Sequence, residues 1–201
     1  SFLAHPLSLS AFKEYPMEIA EVASMSMELF TMNHWQSFFD NDSDLNRAKE
    51  HQLERTITIF PWIAIIDKFQ HWVYENPNHT IEERTSNWTS ILKEFSTESI
   101  DYTGLDMYRA IGWQRQLHLF EVPFYYIEYA IAQLGALAVW RNYCQNPKKA
   151  LEQYIAALSL GYTQPMKTIY ATAGIEFNFS KPYIQELMNF LADQIKKIEE
   201  S

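Results

Sequence analysis

Pro123-Phe-Tyr-Tyr-Ile-Glu-Tyr-Ala-Ile-Ala-Gln-Leu-Gly-Ala-Leu-Ala-Val-Trp-Arg-Asn-Tyr-Cys-Gln-Asn146 is the stretch that decides the fold. Its apolar residues occupy most of the circumference of a helix, which is typical of a helix at the centre of a helical protein. Helical spacing recurs along nearly the whole chain, and no strand pair with a hairpin turn is evident. We therefore predict an all-α fold, a multi-helix bundle that forms one domain over residues 1–201.

The residues that start and stop helices extend this prediction in both directions. We expect a helix over residues 17–39 and another over 44–75, which Pro61 should kink or break. Thr80 and Glu83 form the pattern of a capping box at the start of the next helix. Segment 112–123 is ambiguous, and three further helices are predicted to start at the prolines Pro147, Pro165 and Pro182.

Composition and charge exclude several classes of protein. The net charge of -9 argues against nucleic-acid binding, which needs clustered Lys and Arg. No apolar run reaches the roughly 18 residues of a membrane span. The single cysteine, Cys144, rules out a disulfide framework and favours a cytoplasmic protein. The first residues lack the pattern of a signal peptide and an initiator Met, so we expect the chain to begin inside a longer protein.

The segment from Tyr15 to Glu28 places carboxylates among small and apolar residues. Glu21 and Glu28 are seven residues apart, about two helical turns, and therefore share one helix face. Two acids on one face repel each other unless a cation or a proton lies between them, which suggests a metal ligand with a supporting acid. However, no two of the 6 histidines are four apart and none precedes a Glu, so the His-Glu-x-x-His zinc motif is absent. The residues alone favour an ordinary buried or partly buried acid at Glu21.

A second candidate group runs from His118 to Tyr129. If the segment is helical, one stripe carries His118, Val122, Tyr125, Tyr129 and Gln133, with a kink at Pro123 between His118 and the tyrosines. Histidine and tyrosine side chains donate hydrogen bonds that suit a developing oxyanion or a peptide backbone. The alternative is a stripe of core aromatic residues whose hydroxyls reach the surface.

A third candidate is the turn-rich connector from Gly161 to Ser180, which contains Pro165 and Gly174. Loops on a rigid helical scaffold often carry binding residues. Ordinary turns between helices explain the same residues, and this interpretation is favoured when the residues are taken alone.

Together, these segments resemble the zinc metallopeptidase family of thimet oligopeptidase, neurolysin and bacterial oligoendopeptidase F, and are most similar to the bacterial proteins. The segment Glu21-Val-Ala-Ser24-Met-Ser-Met-Glu28 matches the family pattern Glu-x-x-Ser-x-x-x-Glu, and Ser1-Phe-Leu-Ala-His-Pro-Leu looks like the continuation of the family's His-Glu-x-x-His helix. The segment from His118 through Pro123-Phe-Tyr and Tyr129-Ala130 matches the pattern His-x-x-x-x-Pro-Phe-Tyr-x-x-x-Tyr-Ala. The resemblance covers nearly the whole chain and implies the C-terminal part of a zincin-type helical catalytic domain.

The resemblance also implies roles for individual residues. Glu21 would be the third zinc ligand, beside two histidines upstream of the sequence, and Glu28 would orient a histidine ligand or a neighbouring helix. His118 with Tyr125 or Tyr129 would stabilise the transition state. Contacts to the short peptide substrate would come from Tyr126 and Gly174. Because the upstream motif is missing, we expect this chain alone neither to bind Zn²⁺ tightly nor to hydrolyse peptides.

A non-catalytic helical module that binds peptides or serves as a scaffold is the alternative. The segment Lys149–Leu158 resembles half of a helical repeat unit, although no second half recurs at a fixed period. A His-Glu-x-x-His motif encoded upstream of Ser1 would decide for the peptidase. In either case, missing neighbouring helices would leave apolar surface bare, so self-association is expected.

Overall fold

The computed structural model describes residues 2–97 and 100–200. Within these ranges all regular secondary structure is helical, which confirms the all-α prediction. The α-helices are α1 (Met17–Thr31), α2 (Asp42–Glu75), α3 (Ile81–Phe95), α4 (Asp106–Ala110), α5 (His118–Glu121), α6 (Ile127–Gln145), α7 (Pro147–Ser159), α8 (Met166–Thr172) and α9 (Lys181–Glu199). None of them, over the described residues, is both long and apolar enough to cross a membrane.

Several helix boundaries differ from the predicted ones. Helix α1 ends at Thr31, and the chain continues as the 3-10 helix Met32–Ser37 rather than as an α-helix to residue 39. Helix α2 continues through Pro61, so of the two predicted effects the break is excluded and the kink stays a prediction. Helix α6 begins at Ile127 rather than at Pro123, because Phe124 has a φ of 60° that no α-helix accommodates.

Local capping signals placed other helix starts correctly. The Thr80 hydroxyl accepts a hydrogen bond from the Glu83 backbone N–H at 3.1 Å, and the Glu83 carboxylate accepts one from the Thr80 N–H at 2.8 Å. This is the capping box that the sequence predicts. At the start of α7 the Asn146 side chain accepts from the Lys149 N–H at 3.1 Å, directly before Pro147.

The chain forms two compact units. The first comprises Ser1–Ile57 and Ile131–Ser201, and the second comprises Thr58–Ala130. Helices α2 and α6 therefore contribute residues to both units. The interpretation of residues 1–201 as one domain stays a prediction.

The core of the first unit holds α1 against α6 and α7. The Phe30 ring of α1 stacks on Tyr143 with the ring centroids 4.5 Å apart, and meets the edge of Tyr154 at 5.5 Å. The Tyr154 hydroxyl donates to the Ala23 carbonyl of α1 at 2.8 Å. A fully buried aromatic side chain contributes about 1.5–3 kcal/mol, so these contacts position α1, the helix that carries Glu21.

The core of the second unit is built around Trp88, which is completely buried. Phe69 of α2 meets the edge of the Trp88 indole with the centroids 5.0 Å apart. The Trp88 Nε1–H donates to the Arg109 carbonyl at 2.8 Å and so satisfies the one polar atom of the buried ring. This core holds α2 and α3 around the segment that contains His118; its partly buried neighbours include Trp62, Trp113, Leu119 and Tyr126.

Candidate functional site

Glu21 lies half-buried on α1, beside the core-facing residues Ile19 and Val22. One of its carboxylate oxygens accepts a hydrogen bond from the Ser24 hydroxyl at 3.1 Å, and the same hydroxyl lies 3.1 Å from the Glu21 carbonyl. The hydroxyl thus fixes the carboxylate within one helical turn. Carboxylate oxygens are among the common ligands of Zn²⁺ in proteins.

Glu28 is exposed at the other end of the same helix. Its carboxylate accepts a hydrogen bond from the Gln52 amide of α2 at 3.0 Å. Glu28 therefore links α1 to a neighbouring helix. Its role in supporting a metal ligand stays a prediction.

The described residues do not complete a metal site. Over residues 2–97 and 100–200, no three side chains of His, Cys, Asp or Glu lie close enough together to hold an ion. A zinc ion in a peptidase needs three protein ligands and one open position. Glu21 supplies at most one of them, so the residues present here do not form a zinc site by themselves.

The segment from His118 to Tyr129 is not the continuous helix on which the predicted stripe depends. The short helix α5 ends at Glu121, and the positive φ of Phe124 turns the chain before α6 begins. The Phe124 N–H donates to the Gln70 side-chain oxygen of α2 at 3.0 Å. The single helical stripe from His118 to Gln133 is therefore wrong, and a turn held by Gln70 takes its place.

This turn nevertheless gathers the predicted histidine and tyrosines into one aromatic cluster within the second unit. The His118 ring lies with its centroid 5.7 Å from Tyr125, 5.0 Å from Tyr126 and 5.7 Å from Tyr129. The Tyr129 ring in turn meets the edges of Tyr125 and Tyr126 at 5.5 and 5.3 Å. The predicted residues are thus together, although by a turn rather than by helical spacing.

Hydrogen bonds orient the imidazole within the cluster. The Tyr129 hydroxyl lies 3.4 Å from His118 Nε2. On the other side of the ring, the Gln116 amide nitrogen lies 2.6 Å from His118 Nδ1. Both ring nitrogens therefore face defined partners.

Burial keeps the Tyr126 phenol protonated. It raises the pKa of Tyr126 above its usual value, and a hydrogen bond from Trp62 opposes this shift to a smaller extent. Since a protonated phenol is a hydrogen-bond donor, Tyr126 is suited to meet an acceptor such as a peptide carbonyl.

Gly174 belongs to the first unit, where it lines a polar cavity of about 250 Å³. Its φ is +76°, and its carbonyl accepts a hydrogen bond from the Asn142 side chain at 2.8 Å. A Cβ at this position would lie 2.5 Å from the Gln153 side-chain oxygen. The backbone conformation thus favours glycine here, whereas the flexible Gln153 side chain could move away from a Cβ; the contact of Gly174 with substrate stays a prediction.

Three residues that shape the site around His118 were not predicted from the sequence: Gln116, Trp62 and Gln70. Gln116 is two positions before His118, and its proximity along the chain is the one local signal that was available. Gln70 and Trp62 lie on α2 and are each 54 positions from the residue that they contact. No local pattern connects such distant positions.

Comparison with known proteins supports the resemblance. An oligoendopeptidase F homologue of Borreliella burgdorferi is 24% identical over 195 residues, which cover 92% of this chain and 32% of the relative. The solved structure of PZ peptidase A with inhibitor 2 superposes with a TM-score of 0.87 and 29% identity, covering 98% of this chain and 34% of that one. The chain thus spans about a third of the length of these relatives.

The sequence also matches Peptidase family M3 over residues 4–189. The matched region contains Glu21, Glu28 and the whole cluster around His118. Because the match covers nearly all of the chain, this protein belongs to peptidase family M3, as its resemblance to the oligoendopeptidase F proteins implied.

Proposed function

We propose that this chain is the part of a zinc metalloendopeptidase that supplies one metal ligand and the donors that bind the transition state. The observation that carries the proposal is the cluster in which Tyr125, Tyr126 and Tyr129 surround His118 in a family M3 chain. The substrates are short peptides, and the protein works in the cytoplasm, in keeping with its single cysteine.

Glu21 is the proposed zinc ligand of this chain. The Ser24 hydroxyl orients its carboxylate, and Glu28 anchors the same helix to Gln52. Zinc, when bound, polarises a carbonyl and lowers the pKa of water. We assign its remaining ligands and the general base to the His-Glu-x-x-His motif that the family resemblance implies, since the described residues form no three-ligand cluster.

His118 and Tyr129 are the proposed donors to the oxyanion that develops on the scissile carbonyl. Donors held in place before the reaction need no reorganisation when charge develops, and removing one typically costs about 10²–10³ in kcat. Tyr125 lies beside both rings and is the second candidate donor. Contacts to the peptide backbone are assigned to Tyr126 and Gly174.

The test compares three variants of the full-length protein that carries this chain. Glu21→Gln should lose zinc and peptide hydrolysis together. Tyr129→Phe should keep zinc and lose about 10²–10³ in kcat. Glu18→Gln, which changes a carboxylate on the same helix, is the matched control and should retain both properties.

Zinc content is measured by mass spectrometry and hydrolysis with an internally quenched peptide. Equal loss of zinc in the Glu21 and Tyr129 variants would refute the assignment of roles. If the wild-type full-length protein contains no zinc and binds peptides without cleaving them, this would instead favour the non-catalytic module. Gel filtration with light scattering tests the proposed self-association through exposed apolar residues, among them Phe2, Phe38 and Ile81.

A further inference from the structure

A series of hydrogen bonds connects Trp62, through Gln116, to His118 in the proposed catalytic cluster. The Trp62 Nε1–H donates to the Gln116 side-chain oxygen at 3.1 Å. The Gln116 amide nitrogen lies 2.6 Å from His118 Nδ1, and His118 Nε2 lies 3.4 Å from the Tyr129 hydroxyl. All four residues belong to the second unit.

The chemistry of Trp62 determines which group donates and which accepts in each of these hydrogen bonds. An indole N–H is a donor only, so the Gln116 atom that faces it has to be the amide oxygen. The Gln116 NH₂ group then faces His118 Nδ1 and donates to it. Because Nδ1 accepts this hydrogen bond, it carries no proton, and the proton of the neutral imidazole resides on Nε2.

Reversing this arrangement is costly. If the Gln116 amide flipped, its oxygen would face His118 Nδ1, but its NH₂ group would oppose the indole N–H of Trp62. Two donors would then face each other in a half-buried site, and the Trp62–Gln116 hydrogen bond, which contributes about 0.5–1.5 kcal/mol net, would be lost, while Trp62 would keep its hydrogen bond to Tyr126. Since a factor of ten in an equilibrium is about 1.4 kcal/mol, this loss favours the tautomer protonated on Nε2.

We propose that Gln116, oriented by Trp62, is a positioning residue that holds His118 as the tautomer protonated on Nε2. The Nε2–H group then points to the side of the ring that faces Tyr129. The distance of 3.4 Å to the Tyr129 hydroxyl exceeds the usual 2.7–3.2 Å of an N–H···O bond, so this N–H keeps capacity for a second acceptor. Under the proposed function, on which the catalytic meaning of this inference rests, that acceptor is the substrate carbonyl oxygen.

The experiment reads the tautomer directly from the chain, without using peptidase activity. Long-range ¹H–¹⁵N spectra at about pH 8, above the ordinary histidine pKa, distinguish protonated from unprotonated ring nitrogens. The His118 signals are those missing in His118→Asn. We expect Nε2 to be protonated and Nδ1 unprotonated.

Variants then test the cause. In Gln116→Glu the carboxylate accepts from both neighbours, so Nδ1 should become the protonated nitrogen. Trp62→Phe, or Gln116→Met where the glutamate variant fails to fold, should give a mixture of both tautomers. Gln114→Glu, an exposed change in the same 3-10 helix Gly112–Arg115, is the matched control and should leave the spectrum unchanged. A wild-type His118 protonated on Nδ1, or a Gln116→Glu spectrum identical to wild type, would overturn the proposal.

Kinetics of the full-length protein separate this inference from the proposed function. Gln116→Glu should lower kcat about 10-fold to 100-fold with KM unchanged, as expected when a partner of an essential histidine is altered. A changed tautomer with an unchanged kcat would overturn the positioning role. A wild-type protein that hydrolyses no peptide would overturn the proposed function, while the spectra would still decide the tautomer.

Discussion

Replacing Gly161 by alanine tests how the N-terminal segment is fastened to the helices of the first unit. Gly161 follows α7 with a φ of +54°, a conformation that favours glycine. The next residue, Tyr162, donates its backbone N–H to the Phe12 carbonyl at 2.9 Å. An added Cβ at Gly161 would overlap that same carbonyl oxygen and would lie 2.6 Å from Cδ1 of Leu7.

The expected cost has two components. An alanine in the left-handed region costs about 1–2 kcal/mol. Forcing a methyl group against a backbone carbonyl, which cannot move like the end of a side chain, adds about 1–3 kcal/mol. Alanine also reduces the entropy of the unfolded chain, which offsets up to about 1 kcal/mol. We therefore expect Gly161→Ala to lower the free energy of unfolding by about 1–5 kcal/mol.

Gly104 is a control that separates the two components. Its φ is +77°, but a Cβ there would meet nothing within 4 Å. Gly104→Ala should therefore lose only the backbone component, about 1 kcal/mol. Urea unfolding followed by far-UV circular dichroism gives both values from the midpoint at an unchanged m value. Equal losses in the two variants would refute the claim that the Phe12 carbonyl excludes a side chain at Gly161.

Three further predictions concern single contacts. Burial raises the pKa of Tyr154 to about 12, so the folded state holds this proton more tightly than the unfolded state; stability should fall by up to about 2 kcal/mol as pH rises from about 10 to about 12. Tyr154→Phe should lose that alkaline dependence and, at neutral pH, about 1 kcal/mol for its bond to the Ala23 carbonyl; an unchanged alkaline slope in urea titrations would contradict this. Gly135→Ala, whose Cβ would come within 2.8 Å of Val22 Cγ2, should cost about 1–3 kcal/mol in overpacking, offset by about 1 kcal/mol of helix propensity inside α6, and a melting temperature above that of wild type would contradict this. Thr80→Ala removes the capping box of α3 and should cost about 1 kcal/mol in urea unfolding, so no measurable loss would count against it.

The fold class and most helix starts were predictable because they depend on local rules. Helical periodicity reports which residues face a core, and the capping residues Thr80 and Asn146 act on backbone groups within one turn. Pro61 shows the limit of such rules, since α2 continues through it. A proline in a helix interior removes one hydrogen bond, and tertiary packing of a long helix outweighs that loss.

The gathering of the tyrosines around His118 was predictable from the sequence and its geometry was not, while the roles of these residues and of Glu21 stay predictions. The spacing from His118 to Tyr129 and the match at Glu21 pointed to the residues, yet the helical stripe was wrong. Phe124 adopts a positive φ because the fold supplies the Gln70 side chain to its N–H. The periodic spacing of apolar residues does not reveal a backbone conformation that depends on a side chain far away in the sequence.

The sequence by itself determined that the chain is helical and that His118, Tyr125 and Tyr129 are candidates for one site. Only the tertiary structure decided how the imidazole is held, because Trp62 and Gln116 are 54 positions apart. Because the indole only donates and the amide both donates and accepts, their hydrogen bonds determine which nitrogen of the imidazole carries the proton. This arrangement of donors and acceptors forms only when packing brings the groups within hydrogen-bond distance. For this reason, no pattern in the sequence predicts it.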